Sequence, residues 1–137
     1  MGLVYTELTL KNAGDTINAR RGLIKEPEVR QVTVTAMVDT RAWPLVINEA
    51  TRQKLGLEIE GEEPSTLADG AEAAYPMTEP VRVYWKNRGT VCQAIVLPQA
   101  DDILLGALPM EAMDLAINPK TETVVGAHGE EALYKLK

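Results

Sequence analysis

The chain has 137 residues, a hydrophobic share of 45% and a charged share of 25%, which suits one folded domain and excludes a disordered or fibrous chain. Its formal net charge of -6 argues against a nucleic-acid surface, and no apolar run approaches the ~18 residues of a membrane span. One cysteine and one histidine leave no internal disulfide and no zinc set, and the first residues lack the basic-then-apolar pattern of a leader, so the chain reads as cytoplasmic.

Phe is absent, so the core must be built from Leu, Val, Ile, Met and Ala. Residues 3–10 alternate as a strand with one wet face. Residues 11–28 carry Gly14, Asp15, Asn18, the pair Arg20-Arg21, Gly22 and Pro27, and read as a long loop with a small apolar island at Leu23-Ile24. Residues 29–38 form a second strand, rich in β-branched side chains, that runs straight into Asp39 and Thr40. A second apolar run, Trp43-Pro44-Leu45-Val46-Ile47, follows at once. An unpaired carboxylate buried between two such runs costs several kcal/mol, so Asp39 must be solvated, neutralised or paired. That requirement marks it as the candidate site.

Asn48 is a good N-cap, residues 49–55 are helix formers, and Gly56 fits the position just past a helix end. Leu57 and Ile59 read as an extended piece, and residues 60–64 as an acidic loop facing solvent rather than a calcium loop. Asp69-Gly70, between small residues, predicts a projecting hairpin with a tight turn. Residues 80–85 and 90–97 predict two antiparallel strands joined by a turn at residues 86–89, with Cys92 as a buried small apolar residue. Ile103-Leu104-Leu105-Gly106 reads as a buried strand, and Pro109 suits the first turn of a short helix over residues 108–115. Residues 116–125 read as strand, turn and strand, and residues 127–137 as a polar tail.

This order of parts, with Val38-Asp39-Thr40-x-Ala42 and Ile103-Leu104-Leu105-Gly106, resembles the retropepsin-like (clan AA) aspartic peptidases over residues 29–126. Lys54-Leu55-Gly56-Leu57 and Leu105-Gly106-x-x-Pro109-Met110-Glu111-Ala112-Met113-Asp114-Leu115 look like the small bacterial single-domain members. The resemblance implies one all-β domain: a closed, barrel-like antiparallel sheet with a flap hairpin and two short helices. It implies a homodimer in which Asp39 from each chain holds the attacking water against a peptide bond, with no metal or organic cofactor. Thr40 would hydrogen-bond across the two-fold axis. Leu105 and Gly106 would support the turn, Gly106 by allowing close approach, and Ala68, Asp69 and Gly70 would form the flap over a peptide or protein substrate. Like charges about 3 Å apart cannot both ionise, so one acid stays protonated while the other acts as base.

The pattern is broken at one position. Arg41 stands between Thr40 and Ala42 where these enzymes carry Gly, bringing bulk and a permanent positive charge beside the carboxylate. A guanidinium that reached Asp39 would hold it ionised, against the sharing of a proton. Asp39 is then either a catalytic acid or an acid that caps its own turn or pairs with Arg41. In the second case the chain is a catalytically silent dimer that binds peptides or serves assembly. Trp43 is expected in the core or at the dimer interface.

Overall fold

The computed structural model describes residues 2–66 and 69–129, leaving aside the side chain of Ser65. Its strands are β1 (Val4–Asn12), β2 (Gln31–Val38), β3 (Leu45–Ile47), β4 (Ile59–Thr66), β5 (Glu72–Thr78), β6 (Val81–Trp85), β7 (Arg88–Cys92), β8 (Ala94–Val96), β9 (Ile103–Leu105), β10 (Leu115–Asn118) and β11 (Thr123–Gly126). Three helices accompany them, α1 (Ala13–Arg20), α2 (Glu49–Leu55) and α3 (Ala107–Ala112), with one 3-10 turn at Glu26–Glu28.

Nine strands form one sheet in the order β4-β5-β8-β3-β9-β2-β1-β6-β7, and β10 pairs with β11 apart from it. The sheet is mixed: β2 runs parallel to β9 and β3 parallel to β8, while β3 and β9 are antiparallel. A closed antiparallel barrel is therefore not what forms. Strands β4 and β7 remain as edges among the described residues. Part of the reason is visible in β4, whose Glu60, Glu62, Glu63 and Pro64 are edge chemistry, with Pro unable to donate to another ladder and the charges disfavouring burial. Residues 60–64 are thus strand and not loop.

The core lies on one face of the long strands. Leu8 and Leu10 of β1, Ala36 of β2, Val81 and Val83 of β6 and Leu105 of β9 are buried there, with Leu55 and Leu57 from the α2 end. Alternation in β1 and β6 follows from the two-residue side-chain period of a strand. Helix α2 starts and stops as its end residues dictate: the Asn48 side chain accepts from the Thr51 N–H at 2.9 Å, and Gly56 takes the left-handed conformation at φ 62°.

Residues 11–28 are not a loop. Lys11 and Asn12 complete β1, and Asn12 caps α1 by accepting from the Asp15 N–H at 3.0 Å. Asp15, 7% exposed, takes Nε, Nη2 and the backbone N–H of Arg30 at 2.8, 2.9 and 3.0 Å. This pins α1 to the start of β2 and makes three helices where two were expected. The strand expected over residues 90–97 breaks at Gln93, so β7 and β8 pair on opposite sides of the sheet. Arg88, expected in the turn, begins β7, is 3% exposed and donates to the carbonyls of Met113, Asp114 and Gly129. Among the described residues no helix is long and apolar enough to cross a membrane.

Candidate functional site

Asp39 follows directly on β2, at the point where β9 ends beside it. Its backbone N–H donates to the Leu105 carbonyl at 3.1 Å, extending the β2–β9 ladder by one bond, and its carbonyl accepts from Ala42 N–H at 3.1 Å to close a turn. The chain then crosses over Gly106. Ala107 N–H donates to the Ala42 carbonyl at 2.8 Å and Leu108 N–H to the Trp43 carbonyl at 3.0 Å. Gly106 makes this possible: a Cβ there would stand 2.7 Å from the Ala42 oxygen and 2.7 Å from the Trp43 carbonyl carbon, and closer still to the Pro44 oxygen. Every one of these neighbours is backbone, so no rotamer change relieves the clash.

The Asp39 carboxylate has a local partner. Its Oδ1 accepts from the Arg41 backbone N–H at 3.0 Å and from Arg41 Nε at 3.1 Å, and Oδ2 accepts from Arg41 Nη2 at 3.4 Å. The Asp39 side chain is 19% exposed while that of Arg41 is 91% exposed, so the guanidinium lies over the carboxylate from the solvent side. Hydrogen bonding from the Arg41 side chain, opposed by burial and aided by the backbone N–H groups of Arg41 and Ala42, holds the Asp39 pKa below the usual carboxylate range.

A cleft of ≈ 520 Å³ opens over this turn. Pro44 and Val46 from the β3 side, Ile95 and Leu97 from β8 and its end, and Leu104 of β9 make it apolar, while Thr66 and Tyr75 belong to the β4–β5 hairpin. Asp39 is the one carboxylate among the described lining residues, and Arg41 and Ala42 join it. Thr40 is exposed and is not part of that lining. Asp69 and Gly70 make the hairpin turn, with Asp69 Oδ1 accepting from Ala71 N–H at 2.9 Å and Gly70 at φ 86°, and they too stand outside the cleft lining. Ala68, expected in the flap, lies outside the described residues. Among the described residues no three His, Cys, Asp or Glu side chains are grouped so as to hold a metal ion.

The sequence matches no protein-family model, and no curated protein sequence matches it. Trp43 is 48% exposed, which removes it from the core of the single chain. Leu108, whose N–H reaches the Trp43 carbonyl, is 53% exposed, and Leu3, next to the register partner of Val38, is 69% exposed. Leu104 lies within the Ile103-Leu104-Leu105-Gly106 run, whereas Tyr75, Ile95 and Leu97 belong to no motif. They come to the site through strand pairing across the sheet, which no local pattern encodes.

Proposed function

We propose that this chain is an aspartic endopeptidase of the retropepsin-like type, working as a homodimer. The observation that carries the reading is the cleft with one carboxylate, Asp39, among its described lining residues. A lone carboxylate cannot divide the roles of acid and base, whereas two copies of the same turn, related by a two-fold axis, supply both. The exposed Trp43, Leu108 and Leu3 around the turn give a second copy an apolar surface to cover. The β4–β5 hairpin, which contributes Thr66 and Tyr75 to the cleft lining, would close over an extended peptide and exclude water.

In the dimer one Asp39 is protonated and hydrogen-bonds the scissile carbonyl, while the other, ionised, takes a proton from the water that attacks the carbonyl carbon. The protonated acid must escape its Arg41, and a guanidinium 91% exposed can rotate into solvent without breaking a packed contact. Purified protein should cleave a broad peptide library within about pH 3 to 7, be blocked by a statine peptide, and lose cleavage on Asp39→Asn. A folded dimer that cleaves nothing over that range refutes the proposal.

A second reading is favoured by one contact, the Arg41 fork on Asp39. If both carboxylates stay ionised under their arginines, the dimer keeps the groove and hairpin but binds peptides without hydrolysis. Arg41→Gly separates the two: a silent dimer gains cleavage, and a working enzyme changes only in rate or pH dependence.

A further inference from the structure

Away from the cleft, the solvent face of the sheet carries chemistry that neither the cleft nor the core uses. Gln31, Lys11 and Arg82 stand side by side across β2, β1 and β6 as register partners, and Thr33, Thr9 and Tyr84 form the next row. The alternate positions Leu10 and Val83 are buried, so both rows point outward. Lys11 and Arg82 are like charges set directly opposite one another, a pairing that is unfavourable unless something negative lies between them. Arg82 Nε is closed off from solvent and has no acceptor among the described residues. The Lys11 Nζ rests 5.4 Å from the centre of the Tyr84 ring, which is itself pressed against Gly89, where a Cβ would come to 3.0 Å of its Cδ1.

Among the described residues neither Lys11 nor Arg82 forms an ion pair. The nearest outward acid along β1 is Glu7, about 13 Å from Lys11 at the rise of a strand. The outward positions of β2 beside them are Gln31, Thr33 and Thr35, and those of β7 are Gly89 and Val91. A chain with net charge -6 thus keeps two adjacent cations with no ion-pair partner among the described residues.

We propose that this patch binds a phosphoryl group, with Arg82 presenting its planar fork, Lys11 a point charge, and Gln31 and Thr9 neutral donors beside them. A phosphoryl dianion brings two negative charges and three or more acceptor oxygens to the two cations, where a carboxylate brings one charge and two oxygens. The patch lies at the Gln31 end of β2, eight residues or about 26 Å along the strand from Asp39 at the other end, so the two sites are separate.

The test is calorimetric titration of the whole chain with inorganic phosphate at constant ionic strength in chloride, with acetate as a parallel arm. Wild type takes one phosphate per chain, and Arg82→Gln and Lys11→Gln each weaken binding at least about tenfold, the loss of one charge-assisted contact. Lys86→Gln, which removes a lysine stacked on Trp85 outside the patch, leaves binding unchanged. Lys11→Gln keeps the test open if Arg82→Gln does not fold. Absence of phosphate binding overturns the proposal, as does binding that survives both patch variants or falls equally in Lys86→Gln. Acetate bound as tightly as phosphate overturns the phosphoryl assignment.

Discussion

Gly106→Ala tests whether the turn that carries Asp39 is held by backbone contact. The added methyl would meet the Ala42 oxygen at 2.7 Å, the Trp43 carbonyl carbon at 2.7 Å and the Pro44 oxygen closer still. Gly106 has φ -87°, an angle any residue adopts, so the cost is steric and not conformational. Overpacking against side chains costs about 1–3 kcal/mol, and rigid backbone on three sides places this substitution at the upper end, about 3 kcal/mol. With an unfolding entropy of about 2.1 cal/mol/K per residue, a chain of 137 residues loses about 3.5 °C of Tm per kcal/mol, hence about 10 °C here. Relief requires the 42–44 segment to move off Gly106, which stretches the bonds from Ala107 to Ala42 and from Leu108 to Trp43 and displaces Asp39. Thermal unfolding by circular dichroism reads the Tm, and peptide cleavage reads the site. A variant within about 2 °C of wild type would refute the packing argument.

Arg41→Gly removes the largest influence depressing the Asp39 pKa, so the Asp39-dependent limb of the activity profile moves to higher pH; an unmoved limb in a pH-rate series contradicts the role given to the guanidinium. Asp15→Asn gives up charge-assisted bonds to Arg30, worth about 2 kcal/mol once screening at the half-exposed arginine is allowed for. Because the folded pKa of Asp15 is depressed, that stability is complete above the unfolded value of about 3.9 and is lost as pH falls through the native value. Denaturant midpoints of the two proteins should therefore differ at neutral pH and converge in strong acid, and a gap that stays constant or widens in acid would contradict the linkage. Burial pushes the Cys92 thiol up to about 11, so iodoacetamide should label it slowly in the folded chain and readily in denaturant; equal rates would place the thiol at the surface.

Much of this architecture is legible residue by residue where local chemistry decides it. The Asn48 cap and Gly56 bound α2, the alternation of Val81, Val83 and Trp85 marks β6, and the Asp39 break falls at the end of β2. What escapes is set by partners distant in sequence. Helix α1 contains Gly14, Asp15, Thr16 and Asn18, poor helix formers with no apolar stripe, and it is held by Arg30, fifteen residues from Asp15. Strand β4 hides under its glutamates and Pro64 because an edge strand needs no buried alternation. The parallel pairs β2–β9 and β3–β8 join segments far apart in the chain, and with them came an open mixed sheet instead of a closed one. At the site, Asp39, Leu104 and the close approach at Gly106 are marked by their neighbours in sequence, whereas Tyr75 and Ile95 arrive only through strand pairing.

The proposed activity depends on two Asp39 carboxylates meeting in one site. Calorimetric titration of the folded protein with a statine-containing peptide counts them directly. One inhibitor bound per two chains, abolished by Asp39→Asn, is the result the dyad predicts. One inhibitor per chain, or binding that persists in Asp39→Asn, would contradict it.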